Sequence, residues 1–222
     1  YEDTTSVTME DMIRFTTAAK NARKESLIVS DLPINSYQTK EDAVANSLKL
    51  IQAGADAVKL EGGKEIAKII TAITEAGIHV MGHLGLLPQT AEKYTVQGKT
   101  REDAIELIND SKIITEAGVF SIVLEMVTSQ VAKIITEKIT VPTIGIGSGK
   151  DCDGQVLVVH DMLGLFEKIK PKFAKRYLSL SEEIRNAVKL YVTEVKEESF
   201  PAEGNEFQMD ESEYNKLRKE IV

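Results

Sequence analysis

The sequence predicts an α/β fold built on a parallel sheet, and three observations predict it. Short apolar runs of strand length alternate with amphipathic stretches of helix length from one end of the chain to the other. Three of the helical stretches open on the same signal, a Thr followed three residues later by an Asp: Thr8 with Asp11, Thr39 with Asp42, and Thr100 with Asp103. These read as capping boxes, with Asp in the place usually held by Glu. Three helical stretches also end on the same pair, Ala53-Gly54, Ala76-Gly77 and Ala117-Gly118, just ahead of a strand. Glycine suits the left-handed backbone position that closes a helix, so the pairs mark a repeated helix–turn–strand unit.

In order, the Thr8 cap opens a first helix, and Leu27 to Asp31 forms the first strand. Lys40 to Ala53 places Val44, Leu48 and Ile51 on one helical face, and Ala57 to Glu61 follows as a strand. Glu65 to Glu75 aligns Ile66, Ile69, Ile70 and Ile73, and His79 to Gly85 is the third strand. After the Thr100 cap come strands at Phe120 to Met126, Thr143 to Gly147 and Gln155 to Asp161. Leu178 to Val195 is a further amphipathic stretch. Residues 1–200 are read as one barrel-type domain. Residues 201–222 are read as a charged tail with a short helix around Glu211 to Ile221. Two architectures compete, an open doubly wound sheet and a closed (β/α)8 barrel. No G-x-G-x-x-G turn follows the early strands, which disfavours a dinucleotide-binding sheet. A barrel needs about eight strands where six are counted, so about two strands and a helix are expected ahead of Tyr1.

Bulk properties narrow the function classes. With 222 residues, 42% of them hydrophobic, the chain can bury one sizeable core. Its net charge of -8 and its scattered Lys and Arg disfavour nucleic-acid binding. No apolar run is long enough to span a bilayer, and the polar, acidic stretch Tyr1 to Thr8 is unlike a signal peptide. Cys152 is the single cysteine, so no intrachain disulfide can form, and a reducing, cytoplasmic location is expected.

The chemistry sits at the C-terminal ends of the strands. Successive strands end in Asp31, in Lys59 and Glu61, in His83, and in Glu125. In a barrel this end carries the active site. Residues two apart along a strand share a face, so Lys59 and Glu61 point together, with Val58 and Leu60 opposite. Each residue also has an ordinary structural reading. Asp31 could be a turn carboxylate, Glu61 a solvated strand end, Lys59 the ion-pair partner of Glu61, His83 a satisfied core histidine, and Glu125 a helix cap. Taken together, two carboxylates with open positions suit Mg2+, which binds through one or two carboxylates plus substrate oxygens. A 2-oxo acid offers two such oxygens. Asp31 and Glu61 fit the metal role, and Glu125 fits a base that removes the proton beside the carbonyl. The glycine-rich run Gly145 to Gly149 could approach a ligand but lacks the Lys of a phosphate-binding loop. Cys152, flanked by acids, reads as structural. Asp161 reads as a helix cap, and His79 lies at the wrong strand end for chemistry.

The stretches Val29–Pro33 (VSDLP), Ala57–Gly63 (AVKLEGG), Val80–Leu86 (VMGHLGL), Val96–Gly98 (VQG), Val123–Glu125 (VLE), Pro142–Gly147 (PTIGIG) and Cys152–Val156 (CDGQV) resemble the ketopantoate hydroxymethyltransferase family in order and spacing. The resemblance runs from about Val7 to Phe200. It implies a (β/α)8 TIM barrel of the phosphoenolpyruvate/pyruvate type, with about six strands in this chain. It implies a Mg2+-dependent transferase that passes a hydroxymethyl group from 5,10-methylene-tetrahydrofolate, or a related pterin, to 2-oxoisovalerate (3-methyl-2-oxobutanoate). The product is ketopantoate, for pantothenate and coenzyme A synthesis. Carried over by position, Asp31 and Glu61 match metal ligands, and Asp31, Lys59 and His83 match substrate neighbours. Glu125 matches the proton acceptor. The family's second strand ends in a further metal-binding Asp, expected ahead of Tyr1. A homodecamer is also implied. The rival readings are a Mg2+-dependent lyase of the same barrel superfamily and a non-catalytic 2-oxo acid-binding barrel.

Overall fold

The computed structural model describes residues 4–221. A first unit ends at Leu157 and a second begins at Val158. In the first, a 3-10 turn at Thr4–Ser6 leads into α1 (Met9–Ala22), followed by β1 (Val29–Asp31), α2 (Lys40–Ala53) and β2 (Ala57–Glu61). A 3-10 turn at Lys64–Ile66 then runs into α3 (Ala67–Glu75), β3 (His79–Gly85), α4 (Arg101–Glu116), β4 (Ser121–Glu125), α5 (Ser129–Lys138), β5 (Thr143–Ile146) and β6 (Gly154–Gln155).

Among the described residues six strands form one sheet in the order β1-β2-β3-β4-β5-β6, and every neighbouring pair is parallel. This order decides between the two architectures. A doubly wound sheet reverses its direction of growth at a switch point, whereas here each strand adds on the same side, as in a barrel wall. The helices α1, α2 and α4 start where the sequence marks them. Thr8 and Asp11 form a full capping box, with Asp11 N donating to Thr8 Oγ1 and Thr8 N donating to Asp11 Oδ2. Thr39 and Thr100 likewise accept from the Asp42 and Asp103 amides. The Asp103 carboxylate turns instead to the amides of Gly98 and Lys99, tying the preceding loop to α4. All three Ala-Gly glycines take positive φ, 114° at Gly54, 80° at Gly77 and 103° at Gly118.

The core lies between sheet and helices. Val58, Leu60, Val80, Leu84, Ile122 and Leu124 pack with Leu50, Ile70, Ile73, Ile114 and Ile135, all at 3% exposure or less. Full burial of each such side chain is worth roughly 1.5–3 kcal/mol, so the sheet's outer face anchors the fold. A buried polar pair, Thr16 and Ser30, joins α1 to β1 through a 2.7 Å hydrogen bond.

The strand read at Gln155 to Asp161 is corrected. Pairing stops at Gln155, and Val159–Met162 is a single turn of helix, α6. Two residues of β6 pair with β5, and then Asp161 N and Met162 N donate to Val158 O, a local turn that displaces the ladder. Asp161 is inside this turn, whose N-cap is Val158 with no side-chain capping bond, so Asp161 is not the cap. The second unit continues with α7 (Leu180–Lys196), a 3-10 turn at Glu203–Asn205 and α8 (Glu211–Ile221). No residue of α7 or α8 is buried. Within this unit Arg185 makes two bonds to the Glu167 carboxylate, and Tyr191 meets Phe200 edge-on at 5.6 Å.

Candidate active site

The strand period sends two different sets of side chains to the two faces of the sheet. The apolar core takes Val58, Leu60, Leu84 and Leu124, so the alternate residues Lys59, Glu61, His83 and Glu125 turn to the inner face. Parallel register aligns them. Asp31 is level with Lys59, Glu61 with His83, and Gly85 with Glu125.

The side chains form a continuous file across four strands. Lys59 Nζ lies 3.0 Å from Asp31 Oδ2 and 3.4 Å from His83 Nδ1. His83 Nδ1 is 3.7 Å from Glu61 Oε1, and His83 Nε2 is 3.2 Å from Glu125 Oε2. His83 is 2% exposed, and its Nε2 makes no well-aligned hydrogen bond in spite of that short distance. All five residues singled out at the strand ends therefore sit together. Several ordinary readings fall away. Lys59 pairs with Asp31 rather than with Glu61. Glu61 is buried, not solvated. Thr128, not Glu125, occupies the N-cap of α5.

Two residues without a signal in the sequence complete the site. Gln89 is buried, and its main-chain N donates to Glu61 Oε2 at 3.0 Å. Its side-chain Nε2 donates to Leu32 O at 3.0 Å, and its Oε1 accepts from the Tyr37 hydroxyl at 3.2 Å. Burial, reinforced by the Glu61 and Asp31 charges, pushes the Tyr37 phenol up to about 12, so it remains a donor at neutral pH. Burial also raises the Glu61 carboxyl above its ordinary value, and the Gln89 amide, His83 and Lys59 oppose the rise. The Asp31 charge adds to it.

The end of β4 is shaped with equal care. Met126, directly after Glu125, takes φ 49°, an uncommon conformation for a residue with a side chain. It turns the chain so that Met126 N donates to Ile146 O while Glu125 O accepts from Leu86 N. Ser148 accepts from Val127 N and donates to Leu124 O, bracketing the same turn. Gln97 of the VQG stretch bonds both Met126 O and Thr128 N through its main chain. Gly85 has φ 96°, and a Cβ there would collide with Glu125 O.

The remaining candidates are peripheral. The glycine-rich run packs on its own chain, since a Cβ at Gly145 would meet Cys152 Sγ at 3.0 Å and one at Gly149 would meet Ser129. Burial, joined by the Asp153 and Asp151 charges, raises the Cys152 thiol and opposes thiolate formation. His79 opens β3 at the opposite end and meets Phe120 edge-on. Among the described residues no group of three His, Cys, Asp or Glu side chains is placed to enclose a metal ion. The two carboxylates Asp31 and Glu61 are hard oxygen donors, and the Asp31 charge adds to the cost of ionising Glu61. Such a pair fits a divalent cation that draws its other ligands from substrate and water. No helix among the described residues is long and apolar enough to cross a membrane.

Comparison with known proteins points the same way. The sequence profile of the ketopantoate hydroxymethyltransferase family matches residues 1–203. The 3-methyl-2-oxobutanoate hydroxymethyltransferase of Nitrosopumilus maritimus strain SCM1 is 57% identical, covering 100% of this chain and 81% of its own length. The protein of the same name from Cenarchaeum symbiosum strain A is 53% identical, covering 98% and 84%. Among solved structures, phosphoenolpyruvate phosphomutase from Streptomyces platensis subsp. rosaceus superposes with a TM-score of 0.55 at 12% identity, covering 97% of this chain and 77% of its own. A 2,3-dimethylmalate lyase of the PEP mutase/isocitrate lyase superfamily gives 0.52 at 14%, covering 98% and 79%. These last two likenesses are of fold alone.

Proposed function

The chain belongs to the ketopantoate hydroxymethyltransferase family, and we propose that it transfers a hydroxymethyl group from 5,10-methylene-tetrahydrofolate, or a related pterin, to 3-methyl-2-oxobutanoate. The product would be ketopantoate. The observation that carries this reading is the division of labour along the file of side chains. Asp31 and Glu61, on β1 and β2, stand at one end, and Glu125 on β4 stands at the other with His83 between them.

Asp31 and Glu61 would hold the Mg2+ ion, which supplies polarisation of the 2-oxo acid's carbonyl. Lys59 offers a positive charge beside Asp31 for the substrate carboxylate. Glu125, held away from the metal pair, accepts the C3 proton as the C3–H electron pair moves toward the carbonyl oxygen. His83 Nε2, 3.2 Å from Glu125 Oε2, stands beside the carboxylate that takes the proton. The nucleophilic C3 then bonds to the donor's one-carbon unit, and water supplies the hydroxyl oxygen as the pterin leaves. The reading also carries a cytoplasmic enzyme that self-associates, as the family resemblance implies.

The test is turnover by the full chain. With 3-methyl-2-oxobutanoate, methylene-tetrahydrofolate and Mg2+, ketopantoate forms, and a chelator stops it. No ketopantoate with any methylene-pterin would refute the transferase reading. Cleavage of a branched 2-hydroxy acid without a pterin would favour a lyase.

A further inference from the structure

Gln89 makes connections that sheet pairing does not require. β1 and β3 are not neighbours, because β2 lies between them. The adjacent strand ends are already joined by Leu32 N to Lys59 O and by Gly62 N to His83 O. Gln89, in the loop after β3, nonetheless reaches over the end of β2 to the loop after β1. There it donates to Leu32 O and accepts from Tyr37. With both ends of its side chain fixed, its main-chain N–H is aimed at Glu61 Oε2. That bond occupies one carboxylate oxygen and leaves Oε1 as the oxygen beside His83. Leu32 directly follows Asp31, so the same residue is indexed to both carboxylates.

We propose that Gln89, held by Tyr37, is a positioning residue that fixes the Glu61 carboxylate relative to Asp31 for a divalent cation. The inference rests on the metal reading of Asp31 and Glu61 given above and deepens it. Mg2+ demands near-octahedral geometry at short distances, so a rotation of Glu61 costs affinity directly. Supporting partners of metal ligands typically contribute ~10–100-fold in affinity or activity. Without the Gln89 amide group, Leu32 O loses this donor, and the Tyr37 hydroxyl keeps only its 3.4 Å bond to Glu61 O. The loop after β3 then no longer holds its N–H against Glu61.

The experiment titrates Mg2+ by isothermal calorimetry into the wild-type chain, Gln89→Ala, Tyr37→Phe and Thr136→Val. Thr136 is a control for loss of a comparable hydrogen bond far from the strand ends. Its hydroxyl bonds Ala132 O and Thr143 Oγ1 at the start of β5. The expected result is Mg2+ affinity lowered ~10–100-fold in Gln89→Ala and less in Tyr37→Phe, where the Leu32 bond survives. Thr136→Val should match wild type. In turnover, Gln89→Ala should recover part of its rate at high Mg2+, which a merely unfolded fraction would not. Gln89→Ala binding Mg2+ as wild type does would overturn the inference while leaving the metal reading intact. Equal weakening in Gln89→Ala and Thr136→Val would also overturn it, in favour of general destabilisation. A wild-type chain with no Mg2+ affinity would instead sink the metal reading itself.

Discussion

Replacing Glu125 by Gln isolates the proton-transfer step. The substitution keeps the shape of the side chain and removes its ability to take a proton. The backbone at this position is held independently of the side chain, through Leu86 N to Glu125 O and Met126 N to Ile146 O, both 2.8 Å. The strand and its turn should therefore survive. The side chain is 18% exposed and touches His83 rather than Asp31 or Glu61, so Mg2+ and 3-methyl-2-oxobutanoate should bind nearly as in wild type. Loss of a general base costs ~10²–10⁴ in rate, or about 2.7–5.4 kcal/mol in barrier at 1.36 kcal/mol per tenfold. The assay is proton NMR of 3-methyl-2-oxobutanoate in deuterated water. Wild type replaces the C3 hydrogen by deuterium, and Glu125→Gln slows that exchange and ketopantoate formation by the same factor. Exchange at the wild-type rate in the variant would remove Glu125 as the base and leave His83 as the next candidate.

Other perturbations follow from the same geometry. Glu61→Gln should weaken Mg2+ binding yet stabilise the metal-free protein at pH 7 by on the order of 1 kcal/mol. Burial raises the Glu61 carboxyl above 4.5, so its favourable contribution is full below that pH and is lost as pH rises through the folded value. Thermal melts of the two proteins should therefore converge below about pH 4.5 and separate at neutrality; a constant gap would contradict the burial argument. Asp31→Asn should lower Mg2+ affinity by more than the ~10–100-fold typical of losing a supporting partner, because it removes one of two anionic donors, and calorimetry showing unchanged affinity would exclude Asp31 as a ligand. Gly85→Ala should destabilise the chain by about 3 kcal/mol or more, since φ is 96° and the added Cβ would run into Glu125 O. A urea midpoint within error of wild type would show that this approach can relax.

Much of the architecture was legible because it rests on local signals. The Thr-x-x-Asp starts and Ala-Gly ends bracket α2 to within a residue, and β2 and β3 match their expected bounds, since in each a run of apolar residues stops at a charged or glycine position. Strand length was less legible at the sheet's edge. Val156 to Val159 is as apolar as a strand, yet β6 ends at Gln155 because a local turn from Val158 competes with pairing to a single neighbour. The choice of barrel over doubly wound sheet was also not in the residues themselves. Strand order is a global property, and each helix–strand unit is compatible with both windings.

The legibility of the site and its gaps have one origin. Side-chain period carries residue-type information, so polar residues at alternate positions of otherwise apolar strands stand out. That is how Lys59 and Glu61 read onto one face, and how His83 and Glu125 stand out as polar strand ends. Gln89 escapes the same logic because the bond it gives Glu61 comes from its main chain, which any residue but proline could supply. Its side chain acts at a distance in sequence, on a carbonyl 57 residues away and a phenol 52 residues away. Nothing near Pro88 signals those partners. Tyr37 is hidden for a related reason, since an aromatic residue between Ser36 and Gln38 reads as ordinary packing. The inner mouth is therefore assembled in two layers with different visibility. Strand ends supply the polar side chains in a pattern that a sequence reveals. Loops supply the bonds that orient those groups, and they become visible once the parallel register has brought the ends of β1, β2 and β3 level.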